Sequence, residues 1–441
     1  MNGGDVKADE VGRQEGELEI LTLDDFELEG KTVLLRVDIN SPVDLQTKRP
    51  GRAIKDDTRI RRCLPTIQEL VERRARVVIL AHQGDPLDYQ NFTVLAQHAE
   101  VLSQLLARPV AYLDDVAGPA ARERVRTLQN GQVLLLENVR IHTEETIVFE
   151  ESVQLSPAEQ AQTYVVRNLA PLADLYVCDA FAAAHRSEPT LVGFPQILPA
   201  AAGRLFEEEL HVLTRVRGQP ERPCLFFLGG AKILDAFKMM RAALESGAAD
   251  GVLTAGLTGE IMLIAAGCEL GAATVAFLEE KKLLGFVKPA RELLRAFPNR
   301  LYYPMDVAVV EGGERRELPS QTLPASEMIV DIGTRTVESY RERILAARTM
   351  FVNGPAGVYE ADTSAFGTRA LWEAMAASPA FTVIGGGDSI AAARRFGVLD
   401  GFSYVCTAGG GLVRFLAGEP LPVVNVLREA ASRWRGEATG R

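Results

Sequence analysis

Short apolar runs that stop abruptly on a polar residue or glycine, separated by stretches of helical periodicity, confine this chain to a small set of folds. Val33-Leu34-Leu35-Arg36-Val37, Val77-Val78-Ile79-Leu80, Val133-Leu134-Leu135-Leu136 and Leu175-Tyr176-Val177-Cys178 have the length and continuity of strands covered on both faces. Between them Ile60, Leu64, Ile67, Leu70 and Val71 recur at helical spacing. Ser156-Pro157-Ala158-Glu159 is a capping box with proline at the first helical position. Strands alternating with helices predict βαβ units and parallel sheets, an α/β fold. The second half repeats the rhythm at 225–228, 251–254, 328–331, 350–352, 381–384 and 404–406 without repeating the sequence, which argues against a solenoid.

A chain of 441 residues exceeds what one hydrophobic core supports, so two Rossmann-like lobes with parallel sheets are expected, joined by a hinge helix. The predicted division is a disordered acidic extension over 1–18, a first domain over 19–203, a hinge helix and linker over 204–223 and a second domain over 224–425. A helical tail over 426–441 is available to pack back on the first domain. In the hinge, Leu205, Leu210, Leu213 and Val216 line one helical stripe, with Glu207-Glu208-Glu209 on the solvated side, before Gly218 to Pro223 break the helix.

A formal net charge of -11 weighs against general nucleic-acid or anionic-membrane binding, and no run approaches the roughly 18 apolar residues of a membrane span. Five scattered cysteines, odd in number and without a C-x-x-C pair, fit buried thiols in a reducing cytoplasm. A monomer is expected.

Polar residues gather where the strands end, and in open α/β sheets those ends form the binding crevice. In the first lobe Asp38, Asn40, His82, Arg140, Asp179, His185 and Arg186 follow strands, and Arg59 stands just beyond Asp56-Asp57-Thr58 at the start of a helix. Several arginines make a site for phosphate or carboxylate. In the second lobe Phe226-Phe227-Leu228 breaks on Gly229-Gly230-Ala231-Lys232, bringing an ammonium and close backbone N–H groups to one place. The Walker A spacing is absent. Ile384-Gly385-Gly386-Gly387-Asp388-Ser389 runs from strand through glycines into a helix, an arrangement that holds phosphate on backbone N–H groups and places Asp388 to bind Mg²⁺. Asn353-Gly354-Pro355-Ala356-Gly357-Val358-Tyr359-Glu360 is a second glycine loop, with Glu360 available to ribose hydroxyls, and Thr407-Ala408-Gly409-Gly410-Gly411 is a third.

Taken together and in order, Arg36-Val37-Asp38-Ile39-Asn40-Ser41-Pro42, Asp57-Thr58-Arg59-Ile60, Leu136-Glu137-Asn138-Val139-Arg140, Asp179-Ala180-Phe181-Ala182-Ala183-Ala184-His185-Arg186, Gly229-Gly230-Ala231-Lys232, Asn353 to Val358 and Gly385-Gly386-Gly387-Asp388 resemble the phosphoglycerate kinase family, its archaeal branch in particular. The resemblance runs from about Leu34 to Val424. It implies reversible, Mg²⁺-dependent phosphoryl transfer from 1,3-bisphosphoglycerate to ADP, giving 3-phosphoglycerate and ATP, with closure of the two lobes. By that likeness Asp38, Asn40, Arg59, His82, Arg140 and Arg186 hold the glycerate ligand. Lys232, Lys238, Asn353, Glu360, Gly386, Gly387, Asp388 and Ser389 hold the nucleotide, with Asp388 on the metal and an adenine slot near Thr254-Ala255-Gly256. Arg59 and Lys232 are the implied catalytic pair.

The chain departs from the family pattern at several places. Asp85 stands where the family usually has an arginine beside the glycerate site. Ala236 stands where many members have a second lysine, with Lys238 nearby, and Leu257-Thr258-Gly259-Glu260 alters the wall of the adenine slot. Two alternatives therefore stand beside an active kinase: a diverged kinase acting on another acyl phosphate, and a nucleotide-binding protein without turnover.

Overall fold

A computed structural model describes residues 19–44, 46–47, 53–87 and 91–439. The extension expected over 1–18 lies outside them. Two six-stranded parallel sheets, each flanked by helices, organise the chain. The first contains β1 (Thr32–Val37), β2 (Arg76–Leu80), β3 (Val110–Leu113), β4 (Val133–Leu136), β5 (Leu175–Asp179) and β6 (Ala200–Ala202), in the order β3-β4-β2-β1-β5-β6. The second contains β7 (Cys224–Leu228), β8 (Gly251–Thr254), β9 (Leu301–Tyr302), β13 (Thr349–Asn353), β14 (Phe381–Gly385) and β15 (Tyr404–Cys406), in the order β15-β14-β13-β7-β8-β9. β1, β4, β5 and β7 are buried along their whole length, which is why they read as apolar runs, interrupted by Arg36 in β1 and ended by Asp179 in β5.

One expectation is corrected. The run over 328–331 is not a strand of a parallel sheet: it becomes β12 (Ile329–Ile332), which pairs antiparallel with β10 (Asp306–Glu311), itself paired antiparallel with β11 (Glu314–Pro319). β10 and β11 are joined by the two glycines Gly312 and Gly313, both at positive φ, as a tight hairpin requires.

The order of both sheets reverses direction inside the sheet. From β1 the chain moves outward through β2, then returns to add β5 on the other side; from β7 it moves through β8 and β9, then returns to add β13. At such a switch point the loops leaving neighbouring strands diverge to opposite faces and open a crevice. The sites described below lie at these two openings.

Helix Arg204–Gly218 runs between the sheets. Near its start Arg204 pairs with Glu69 and the Phe206 N–H donates to Asp179; in its second turn Glu209 accepts from Cys406 and from the Thr407 N–H. Leu205, Leu210, Leu213 and Val216 are buried as the periodicity predicts. Glu209 is not on the solvated side with its two neighbours: it is 1% exposed, because its position on the helix faces β15 rather than water. Helix Pro422–Thr439 returns to the first sheet, where the Val423 N–H donates to Ala184, Trp434 lies 5.4 Å from Phe26 and Arg428 pairs with Glu19. Cys63, Cys178, Cys224 and Cys406 are buried free thiols and Cys268 is partly exposed. Among the described residues no helix is long and apolar enough to cross a membrane.

Candidate active site

In the first lobe the site is assembled by loops leaving β1, β2, β4 and β5. Asp38, directly after β1, accepts from the Asn40 N–H at 3.0 Å and from Arg59 at 2.5 Å. Burial, the largest influence, opposes its ionisation, but the Arg59 guanidinium, the neighbouring His82 and the Asn40 N–H together outweigh it and hold the carboxyl at about 2. Asn40 Oδ1 accepts the Gly84 N–H at 3.0 Å, and the Gly84 carbonyl accepts from Arg140 at 2.7 Å. Hydrogen bonds thus connect Arg59, Asp38, Asn40, the loop after β2 and Arg140 into one set. His82, on that loop, is buried; desolvation together with Arg140 and Arg36 drives its pKa well below the usual range, so it is neutral at pH 7.

Each arginine assigned to this site already rests on a carboxylate. Arg59 is on Asp38, Arg140 on Glu188 at 2.9 Å and Arg186 on Glu150 at 3.3 Å. The Asp85 side chain turns inward: one oxygen lies 3.8 Å from Arg140, is buried and has no hydrogen-bond partner among the described residues. Behind them Arg36, fully buried in β1, donates to Thr190 Oγ1 at 3.0 Å and faces His82 at 3.1 Å and Glu188 at 3.9 Å. Glu145 accepts two hydrogen bonds from Thr190, while burial and the neighbouring Glu188 push its pKa up. Sequence reasoning missed Glu145, Glu150 and Glu188. Arg36 and Arg140 lie 152 and 48 positions before Glu188, so no local pattern could have linked them.

In the second lobe the loops leaving β7 and β13 touch. The Gly229 and Gly230 N–H groups donate to Asn353 and Pro355 at 2.8 Å each. A Cβ at Gly354, where φ is +86°, would stand 2.2 Å from the Gly229 carbonyl, so only glycine permits this approach. Ser389 Oγ accepts the Gly354 N–H at 2.6 Å and joins the loop after β14 to the other two. Lys232, Asn353, Gly386, Gly387, Asp388 and Ser389 line one depression, and the N-terminus of helix Gly387–Arg395 opens into it. The Lys232 and Asp388 side chains are exposed and, among the described residues, take no hydrogen bond or ion pair. Two assigned residues are not brought there. Lys238 points away on helix Ile233–Glu245 and pairs with Glu419 at 2.8 Å, and Glu360 is exposed beyond the loop with its carbonyl held by Arg395. Near the expected adenine slot, Glu260 shares a small cavity with Gly256, Val330 and Gly357; its Oε2 has no partner, and burial pushes its pKa up to about 8.

Two α/β lobes, one with a cluster of arginines at its strand ends and the other with glycine-rich loops at a helix N-terminus, have the architecture of a two-lobe phosphotransferase. The phosphoglycerate kinase family model matches residues 23–419. The chain is 46% identical over 409 residues to the phosphoglycerate kinase of Methanothermobacter thermautotrophicus, covering 93% of this chain and 97% of that one. It is likewise 46% identical to that of Methanopyrus kandleri, covering 92% and 97%. The crystal structure of the Pyrococcus horikoshii phosphoglycerate kinase superposes with a TM-score of 0.83 at 40% identity, covering 94% of this chain and all of that one. For the Coxiella burnetii enzyme the values are 0.78, 30%, 93% and 100%. The chain belongs to the phosphoglycerate kinase family.

Proposed function

We propose that the first-lobe site holds the glycerate ligand through Asp38, Asn40, Arg59, His82, Arg140 and Arg186, and that the second-lobe depression holds the ADP or ATP phosphates through Lys232, Asn353, Gly386, Gly387, Asp388 and Ser389. The observation that carries this reading is the contrast between the two sites. In the first lobe each arginine assigned to the site stands on a carboxylate that fixes its position; in the second, an exposed lysine and carboxylate flank a helix N-terminus with open backbone donors. Mg²⁺ belongs at Asp388. Among the described residues no group of three or more His, Cys, Asp or Glu could hold a metal, which suits a cation that takes one carboxylate and draws its other ligands from phosphate and water. When bound, such an ion neutralises phosphate charge.

The chain's own part is positioning and charge. A phosphoryl group in transfer spreads negative charge over its equatorial oxygens, so Lys232 from one lobe and Arg59 from the other stabilise it, with no covalent enzyme intermediate. Neutral His82 serves as a hydrogen-bonding partner rather than a charge. Domains over 19–203 and 224–425 closing about the 204–223 segment bring the ligands into line and exclude water from the acyl phosphate. The enzyme works as a cytoplasmic monomer; four buried free thiols suit a reducing compartment. A coupled assay with 3-phosphoglycerate and MgATP tests the reading: turnover supports it, and nucleotide binding without turnover refutes it. Asp85 beside Arg140 favours a second reading, a kinase for another acyl phosphate, which predicts weak turnover of 3-phosphoglycerate and faster turnover of a less highly charged carboxylate.

A further inference from the structure

Helix Thr58–Glu72 carries Arg59 in its first turn, so whatever holds the start of this helix also places that guanidinium. The start is held from within by Asp56, whose Oδ1 accepts the Thr58 N–H at 2.7 Å. It is also held from across the cleft. Arg394, in the last turn of helix Gly387–Arg395, donates to Asp56 Oδ2 at 3.0 Å and to Thr58 Oγ1 at 2.8 Å. That helix begins at the loop of Asp388 and Ser389. One guanidinium therefore ties the Arg59 helix of the first lobe to the phosphate-site helix of the second. The adjacent Arg395 does something different: it stays within its own lobe, on the Glu360 carbonyl and Asp362. A turn along the Arg59 helix, Arg62 crosses as well and donates to Tyr404 Oη at 2.6 Å.

We propose that Arg394 is a positioning residue for phosphoryl transfer: by bridging Asp56 and Thr58 it holds the Arg59 helix against the phosphate-site helix when the lobes are closed. The proposal rests on the reading above, in which these two helices present the two ligands. Arg394 touches neither ligand site, so its effect falls on the reacting complex and not on either binary complex. The side chains are about two-fifths exposed, at 43% for Arg394 and 40% for Asp56, and exposed pairs of this kind set a ceiling of about five-fold on the rate effect.

The test uses the full chain. Arg394→Ala is expected to lower kcat for 3-phosphoglycerate and MgATP by about two- to five-fold, with the separate Kd values for MgADP and for 3-phosphoglycerate unchanged within two-fold by calorimetry. Arg394→Lys, which keeps the charge but loses the two-pronged geometry, recovers part of the rate. Asp56→Asn combined with Arg394→Ala is no slower than the worse single variant. An unchanged kcat in Arg394→Ala, losses that add in the double variant, or an equal loss in the MgADP Kd would overturn the proposal. Absence of turnover in the parent enzyme would refute the functional reading instead. The bridge is then judged by interlobe distance in solution scattering with both ligands present, where an unchanged distribution in Arg394→Ala overturns it.

Discussion

Replacing Asp85 with asparagine removes one negative charge from beside Arg140 while keeping size and polarity. At 3.8 Å, two unit charges interact by about 4 kcal/mol at an effective dielectric constant near 20 and by about 1 kcal/mol in bulk water. The Asp85 side chain is 17% exposed and that of Arg140 only 7%, which places the pair nearer the first limit. Arg140 keeps its 2.9 Å contact with Glu188 throughout, however, so an incoming phosphate or carboxylate recovers only part of what Asp85 withheld. A net gain of about 1–2 kcal/mol follows, or roughly 5- to 30-fold in affinity. In a steady-state coupled assay titrating 3-phosphoglycerate at low ionic strength, Asp85→Asn is expected to lower KM by that factor. Its kcat should stay within about three-fold, the signature of a change in uniform binding. Raising the salt concentration should shrink the difference by screening. A KM within two-fold of the parent at low salt, in Asp85→Asn and Asp85→Ala alike, would refute the claim that this carboxylate competes with the ligand.

Three further predictions test other parts of the molecule. Lys232→Ala should reduce kcat by two orders of magnitude or more without lowering the melting temperature, since the side chain is exposed and unpaired among the described residues; a near-normal kcat would remove Lys232 from the mechanism. Asp388→Asn should raise the Mg²⁺ concentration giving half-maximal rate at fixed ATP, whereas an unchanged Mg²⁺ titration would place the metal elsewhere. Glu260→Gln addresses stability. The folded carboxyl ionises near 8 against 4.5 unfolded, so the native state binds the extra proton between those values and loses stability as pH rises through that window. The glutamine variant lacks this slope. It should match the parent near pH 5 and exceed it by a few kcal/mol near pH 8.5 in urea unfolding; the same difference at both pH values would show that Glu260 is not held neutral.

Much of this was legible in one dimension because the signals are local. Strands buried on both faces are mostly apolar along their length, so β1, β4, β5 and β7 announced themselves, and the residues that follow them had to lie at one edge of a sheet. Glycines at Gly229, Gly354 and Gly386 were equally legible, since close backbone approach and positive φ exclude other residues. The antiparallel pairing of β12 was not, because a four-residue apolar run has the same composition in either kind of sheet. Lys238 was drawn toward the phosphate loops by family likeness and Glu360 by its place at the end of a glycine loop; in the fold Lys238 pairs with Glu419 instead, and Glu360 is exposed with its carbonyl held by Arg395.

The sequence by itself determined the α/β class, the two sheets and the strand-end positions of Asp38, Arg140, Lys232 and Asp388, because hydrophobic periodicity and glycine conformation act over a few residues. Only the tertiary structure decided the charge state and pairing of the site: that His82 is neutral, that Asp85 turns onto Arg140, that Glu188 stands between Arg36 and Arg140, and that Arg394 reaches Asp56. Those outcomes depend on burial and on charges brought within 4 Å from positions as much as 338 residues apart, and neither quantity exists until the chain has folded.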